Sequence, residues 1–242
     1  MRLSRCVAVC AILVVMLFAA SDAAQAGNIN QKRVTGYYGG SGGEFTVYNF
    51  TLGSYITPTA QNVGAGGNGL FETFCVETDE FAVNGTFTTS NAADNGGWNT
   101  NSGDFLGDGS KWLFNMFWFG DWSDTTATYD YTVGVGRAAD AVLLQQALWY
   151  LEDENPAYYG NPATNKYVSA AVTKFGSVAN AKAETLGYLS DVLVINVRDI
   201  TGKRAQDFLV VVPLPSAVWA GLMLLGGVGL FRTVRRDRKS VV

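Results

Sequence analysis

The chain has 242 residues, with 17 Lys and Arg against 21 Asp and Glu, a formal net charge of −4, three cysteines and no histidine. The missing histidine removes the commonest general base and metal ligand, and with it any Ser-His or Cys-His triad drawn from this chain alone. The acidic balance argues against nucleic acid as a partner.

The N-terminus reads as a secretory signal over residues 1–26. Arg2 and Arg5 form a basic start, residues 6–20 an apolar core, and Ala24-Gln25-Ala26 a small-x-small cleavage site, so the mature chain is expected to start at Gly27. The exported domain is expected over 27–211. Between Gly27 and Val212 ten basic residues face nineteen acidic ones, a net charge of −9, and Cys75 is the only cysteine. No intramolecular disulfide is then available, and a leftover thiol in an exported protein is a flag for reactivity or intermolecular pairing. As a bare residue type it is equally a small buried hydrophobe.

Along the domain, residues 36–101 read as strands and turns. Residues 44–50 alternate with period two and are rich in aromatic and β-branched side chains, 70–76 and 80–87 are further strand candidates, and 91–109 is a polar loop. Residues 111–119 predict a short buried helix. Residues 135–154 predict the main helix, with Ala138, Ala141, Val142, Leu144, Gln145, Leu148, Trp149 and Leu151 on one inward arc and Pro156 stopping it. A second, more polar helix is expected over 166–186, ended by Gly187, and strands over 191–197 and 206–212. Strands, then two or three helices, then strands imply an α+β domain built on a mainly antiparallel sheet, with a signal helix before it and a transmembrane helix after it.

The C-terminal residues 212–242 carry a motif, an apolar segment and a basic tail in that order. Val212-Pro213-Leu214-Pro215-Ser216-Ala217-Val218-Trp219 leads into the apolar residues 217–231, and Arg232, Arg235, Arg236, Arg238 and Lys239 follow within 232–239. The basic residues set the topology: they stay cytoplasmic and leave the domain outside. This arrangement resembles a PEP-CTERM sorting domain of the VPLPA kind, found in Gram-negative bacteria that make extracellular polysaccharide. Leu214 stands where the commoner form has Glu, and Ser216 where the VPLPA form has Ala. The resemblance implies an exosortase as processing partner, inner-membrane tethering through the C-terminal helix, and delivery to the envelope, outer surface or matrix.

A second resemblance joins Phe74-Cys75 to Gln145-Gln146-Ala147-Leu148-Trp149. A Gln-x-Ala-apolar-Trp run after an upstream aromatic-Cys is similar to the thioester domains of bacterial surface proteins, although Leu144 stands where those have threonine. The resemblance implies Cys75 as the sulfur, Gln145 as the acyl carbon, and Ala147 and Trp149 as supporting positions. The partner would be exopolysaccharide or another amine- or hydroxyl-bearing surface. Gln145 and Trp149 share a helix face at i and i+4; Gln146, the rival acyl donor, points to a different face. The role so implied is structural and adhesive rather than enzymatic, with no cofactor. The competing readings are a carbohydrate-active enzyme using two carboxylates and a non-covalent carbohydrate- or calcium-binding module.

Other patterns carry less. Gly64-Ala65-Gly66-Gly67-Asn68-Gly69 spells a dinucleotide fingerprint but precedes an aromatic strand rather than a helix, so it reads as a loop. Glu77, Asp79 and Glu80, Glu152-Asp153-Glu154, and Asp104 and Asp108 of the polar loop are oxygen-rich groups of a kind that suits calcium outside the cell, but none has EF-hand spacing and they read as solvated surface, with no metal site expected. Flat aromatics among Trp98, Trp112, Trp118, Trp122 and Trp149 would stack on sugars where exposed, but most at helix spacing read as core.

Overall fold

The computed structural model describes residues 26–40, 42–50, 69–94, 104–185 and 187–212, all within one compact unit, Ala24–Val212. The signal sequence up to residue 25, Pro213, Leu214, Pro215, the apolar residues 217–231, the five tail basic residues and Trp98 lie outside the described residues. Of the sorting motif only Val212 is described: it is buried, and its N–H donates to the Asp191 carbonyl at 2.8 Å. Among the described residues no helix is long and apolar enough to cross a membrane.

The fold is α+β. Six strands form one antiparallel sheet: β1 (Ala26–Gly39), β2 (Gly42–Phe50), β3 (Phe71–Thr73), β4 (Gly85–Ser90), and then, after a small β5 (Ala92–Ala93)–β6 (Asp104–Phe105) pair, β7 (Val192–Arg198) and β8 (Arg204–Val211). The order across the sheet is β3-β2-β1-β4-β7-β8. Four helices lie between β6 and β7: α1 (Asp108–Phe119), α2 (Val135–Leu151), α3 (Lys166–Phe175) and α4 (Val178–Ala181).

One short run of chain ties the two edges of the sheet together. β3 pairs with β2, and the residues directly after it pair with β8. Leu209 N–H donates to the Phe74 carbonyl at 3.2 Å, Val76 N–H donates to the Asp207 carbonyl at 3.0 Å, and the Thr73 hydroxyl donates to the Leu209 carbonyl at 2.6 Å. Cys75 faces Phe208 in this seam. Joining the edges satisfies backbone groups that an open sheet would leave unpaired. β8 is buried on both faces from Ala205 to Val211, with no alternation.

Aromatic side chains fill the space between seam and helices. Phe117 of α1 meets Phe74 edge to face at 5.0 Å, and Trp118 lies 5.4 Å from Phe71. α2 packs on β1 and β2. Arg137, 1% exposed, fastens it there: its Nε donates to Glu44 Oε1 at 3.0 Å, its Nη2 to Glu72, and its Nη1 to the Tyr131 carbonyl at 3.0 Å.

Four elements differ from the sequence expectation. β1 starts ten residues before the expected strand region; only Ile29, Gln31, Val34 and Tyr37 are buried, and a register shift between Arg33 and Tyr38 breaks the period. The strand expected over 80–87 starts at Gly85, where a Cβ would collide with the Arg198 carbonyl across the β4–β7 pair. The expected loop 91–109 contains β5 and β6 and ends inside α1. The helix expected over 166–186 is two helices: Gly176 ends α3 in the left-handed region (φ 82°), and the Ser177 side chain caps α4 by accepting from Asn180 N–H.

Candidate functional site

Cys75 and Gln145 meet. Cys75 comes from the seam and Gln145 from the middle of α2, and both are 1% exposed. Gln145 Oε1 accepts from the Cys75 N–H at 3.1 Å and from the Gly43 N–H at 3.2 Å, and lies 3.2 Å from Cys75 Sγ. Gln145 Nε2 donates to the Cys75 carbonyl at 2.8 Å. The reversed amide would set its NH2 against two N–H donors and its oxygen against a carbonyl, so the backbone dictates which way the group faces. The result is a carboxamide whose oxygen rests between two backbone N–H groups with a thiol beside it. Two fixed N–H donors are the arrangement that stabilises an oxyanion when a carbonyl is attacked.

Gly43 was not singled out from the sequence, and it is half of that cradle. Its φ of 148° disfavours any L side chain, and a Cβ there would strike the Tyr37 carbonyl. At Gly42 a Cβ would overlap the Trp149 ring and come within 2.8 Å of Gln145 Cγ. Two successive glycines let the start of β2 lie directly against α2, so that a main-chain N–H reaches the amide oxygen. The signal in the sequence is the cluster Gly39-Gly40-Ser41-Gly42-Gly43 placed just before an alternating strand.

The other expected positions take distinct places. Trp149, 1% exposed, covers Gly42 and makes an edge contact with Tyr158 at 6.1 Å. Ala147 is fully buried in the core. Gln146 is half-buried and runs past Gly160, so α2 delivers Gln145 and not Gln146 to the cysteine.

Burial pushes the Cys75 thiol up to about 12; the Gly43 N–H partly opposes this, the charge of Glu77 adds to it, and Arg33 lowers it slightly. At neutral pH only about 10⁻⁵ of the thiol would be thiolate, roughly a thousandfold less than an ordinary cysteine. Well-oriented intramolecular reactions reach effective molarities of about 10⁵–10⁸ M. Proximity of that size would outweigh the ionisation penalty for a sulfur–carbonyl bond made once.

The arrangement of β2, β3 and α2 around this site rests on the Arg137 lock. Glu44, the residue after Gly43, bonds Arg137 and accepts from the Tyr129 hydroxyl. Desolvation, with Glu72 nearby, raises the Glu44 carboxyl to about 8 against the opposing pull of Arg137. Four acidic residues expected on the solvated surface are instead buried: Glu77, Asp108, Glu152 and Glu154. Asp79 and Asp153 are exposed as expected. Seam formation accounts for Glu77, which follows Cys75 into the interface with β8. No family model, curated protein or solved structure matches the chain.

Proposed function

We propose that this chain is an exported cell-surface or matrix protein whose domain attaches covalently to a partner through an internal thioester between Cys75 and Gln145. The observation that carries this reading is the Gln145 carbonyl oxygen held between the N–H groups of Cys75 and Gly43, with Cys75 Sγ at 3.2 Å. Sulfur attacks the amide carbon, and the oxygen takes up negative charge between the two donors. The C–N bond then breaks, and the leaving nitrogen departs as ammonia carrying the thiol proton. One S–C bond forms, one C–N bond is lost, and no cofactor or redox partner is needed.

The second step is the first in reverse with a different amine. The Cys75 carbonyl, which holds the departing nitrogen through its 2.8 Å contact with Nε2, is placed to accept a hydrogen bond from an incoming amine or hydroxyl. Burial of both residues keeps bulk water away in the meantime. The partner is an amine- or hydroxyl-bearing surface, exopolysaccharide among them. The domain forms one bond and does not turn over. The C-terminal residues 212–242 support export and exosortase processing near Pro213–Pro215, with the membrane as a temporary anchor.

Intact mass spectrometry of the freshly purified mature protein, kept free of nucleophiles, tests the reading. The expected mass is lower than the sequence mass by one ammonia, with Cys75 inert to thiol reagents until an amine opens the bond. A full-mass domain with a thiol that titrates on denaturation rules the thioester out. The same spectrum reports the cuts after Ala26 and near Pro213–Pro215.

A further inference from the structure

Two residues beyond Cys75 the seam gathers carboxylates. One carboxylate oxygen from each of Glu77, Glu80 and Asp207 lies within 4.8 Å of the other two. Glu77 is 1% exposed; its Oε2 accepts from Gln206 Nε2 and from the Asp207 N–H, both at 3.2 Å, while its Oε1 is buried with no hydrogen-bond partner among the described residues. Asp207, also buried, accepts from Val197 N–H through Oδ1 at 2.9 Å and from Asp94 N–H through Oδ2 at 3.2 Å. Glu80 is half-buried and closes the solvent side. Among the described residues none of the three carboxylates makes a salt bridge with a lysine or arginine.

We propose that Glu77, Glu80 and Asp207 bind a calcium ion. Oxygens around Ca²⁺ sit at about 2.3–2.6 Å from the metal, so ligands of one ion lie up to roughly 5 Å apart, a limit these three meet. An all-carboxylate set with no histidine or thiol selects a hard cation over zinc or copper. Among the described residues Glu77 Oε1 is a buried acceptor with no hydrogen-bond partner, and a bound cation would supply one. A bound ion would clamp the Cys75 segment to β8 and hold the irregular stretch around Glu80 against both.

The test is calorimetric titration and thermal melting of the chelator-treated mature protein with calcium chloride, and with magnesium chloride in parallel. One calcium per chain is expected, with affinity in the range of about 10⁻⁴–10⁻³ M typical of extracellular modules, and a melting temperature that climbs with calcium concentration. Glu77→Gln should weaken calcium binding at least tenfold. Glu80→Gln, a change on the open side of the cluster, should weaken it while leaving the calcium-free melting temperature unchanged, which covers the case in which Glu77→Gln fails to fold. Cys75→Ala should bind calcium as the wild type does, so this site and the thioester fail separately. Absence of heat and of any melting shift up to about 10 mM calcium, or a shift undiminished in both glutamine variants, would overturn the proposal.

Discussion

Two buried glutamates flank Cys75 on one short run of chain, and they are treated in opposite ways. Glu72, three residues before it, shares Arg137 with Glu44 and so belongs to a cluster that contains its own counter-charge. Glu77, two residues after it, receives only an amide and a main-chain N–H and faces the carboxylates of Glu80 and Asp207. The first cluster is closed by its own cation: Arg137 fastens α2 to β2 and β3, and Glu44, raised to about 8, takes up a proton as pH falls. The second is open, and its neutralisation must come from protons or from a cation. Between them sits the neutral pair of Cys75 and Gln145, in which both the oxygen and the nitrogen of the glutamine amide are hydrogen-bonded. Charge compensated on one side, uncompensated on the other and absent in the middle gives three different environments along six residues.

The largest effect should come from breaking the closed side. Arg137→Ala leaves Glu44 and Glu72 buried without their cation, and removing one partner of a buried pair costs about 3–5 kcal/mol. Urea unfolding measures it, and a loss under about 1 kcal/mol would show that the arginine is not the lock. Next comes the cradle. Gly43→Ala puts a Cβ into the Tyr37 carbonyl at a φ of 148°, with an expected cost of about 1–3 kcal/mol. The surviving protein should keep its ammonia, because the oxyanion donor has moved; a variant that still loses ammonia would remove Gly43 from the chemistry.

The pH dependence sharpens the same contrast. Glu44 and Glu152 both sit at about 8, raised first by desolvation. A carboxyl raised in the folded state binds its proton more tightly there than in the unfolded chain. Its contribution is complete below the ordinary carboxylate range and is lost as pH climbs from there to about 8. Melting in chelator should therefore show lower stability at pH 8 than at pH 5, and Glu152→Gln should flatten that slope; stability rising with pH would contradict the assignment. The smallest effect is expected at Gln146. Gln146→Ala should change stability by no more than about 0.5 kcal/mol and leave the mass deficit intact, whereas Gln145→Ala should abolish the deficit and leave a free thiol.

Some of this was legible in the residues. A single cysteine between Gly27 and Val212 and a glutamine on the apolar arc of the main helix are side-chain facts, and Cys75 and Gln145 do meet. The split at Gly176-Ser177 was also written, as a C-cap glycine followed by an N-cap serine inside what reads as one helix. Gly43 contributes a main-chain N–H, which carries no residue identity; only the glycine cluster hinted at a close approach. Glu77 looks like surface because its burial comes from the pairing of residues 74–76 with β8, more than 130 positions away. β1 hides for a related reason: four buried residues in a polar strand with a shifted register leave no clean alternation to read.

The most direct measurement maps the product of opening the bond. The purified protein is treated with methylamine, digested and sequenced by tandem mass spectrometry. The account predicts an N-methylamide at Gln145 and not at Gln146, with Cys75 released as a thiol that alkylates in the same sample. Unmodified Gln145 alongside a Cys75 that alkylates equally well without amine would contradict it.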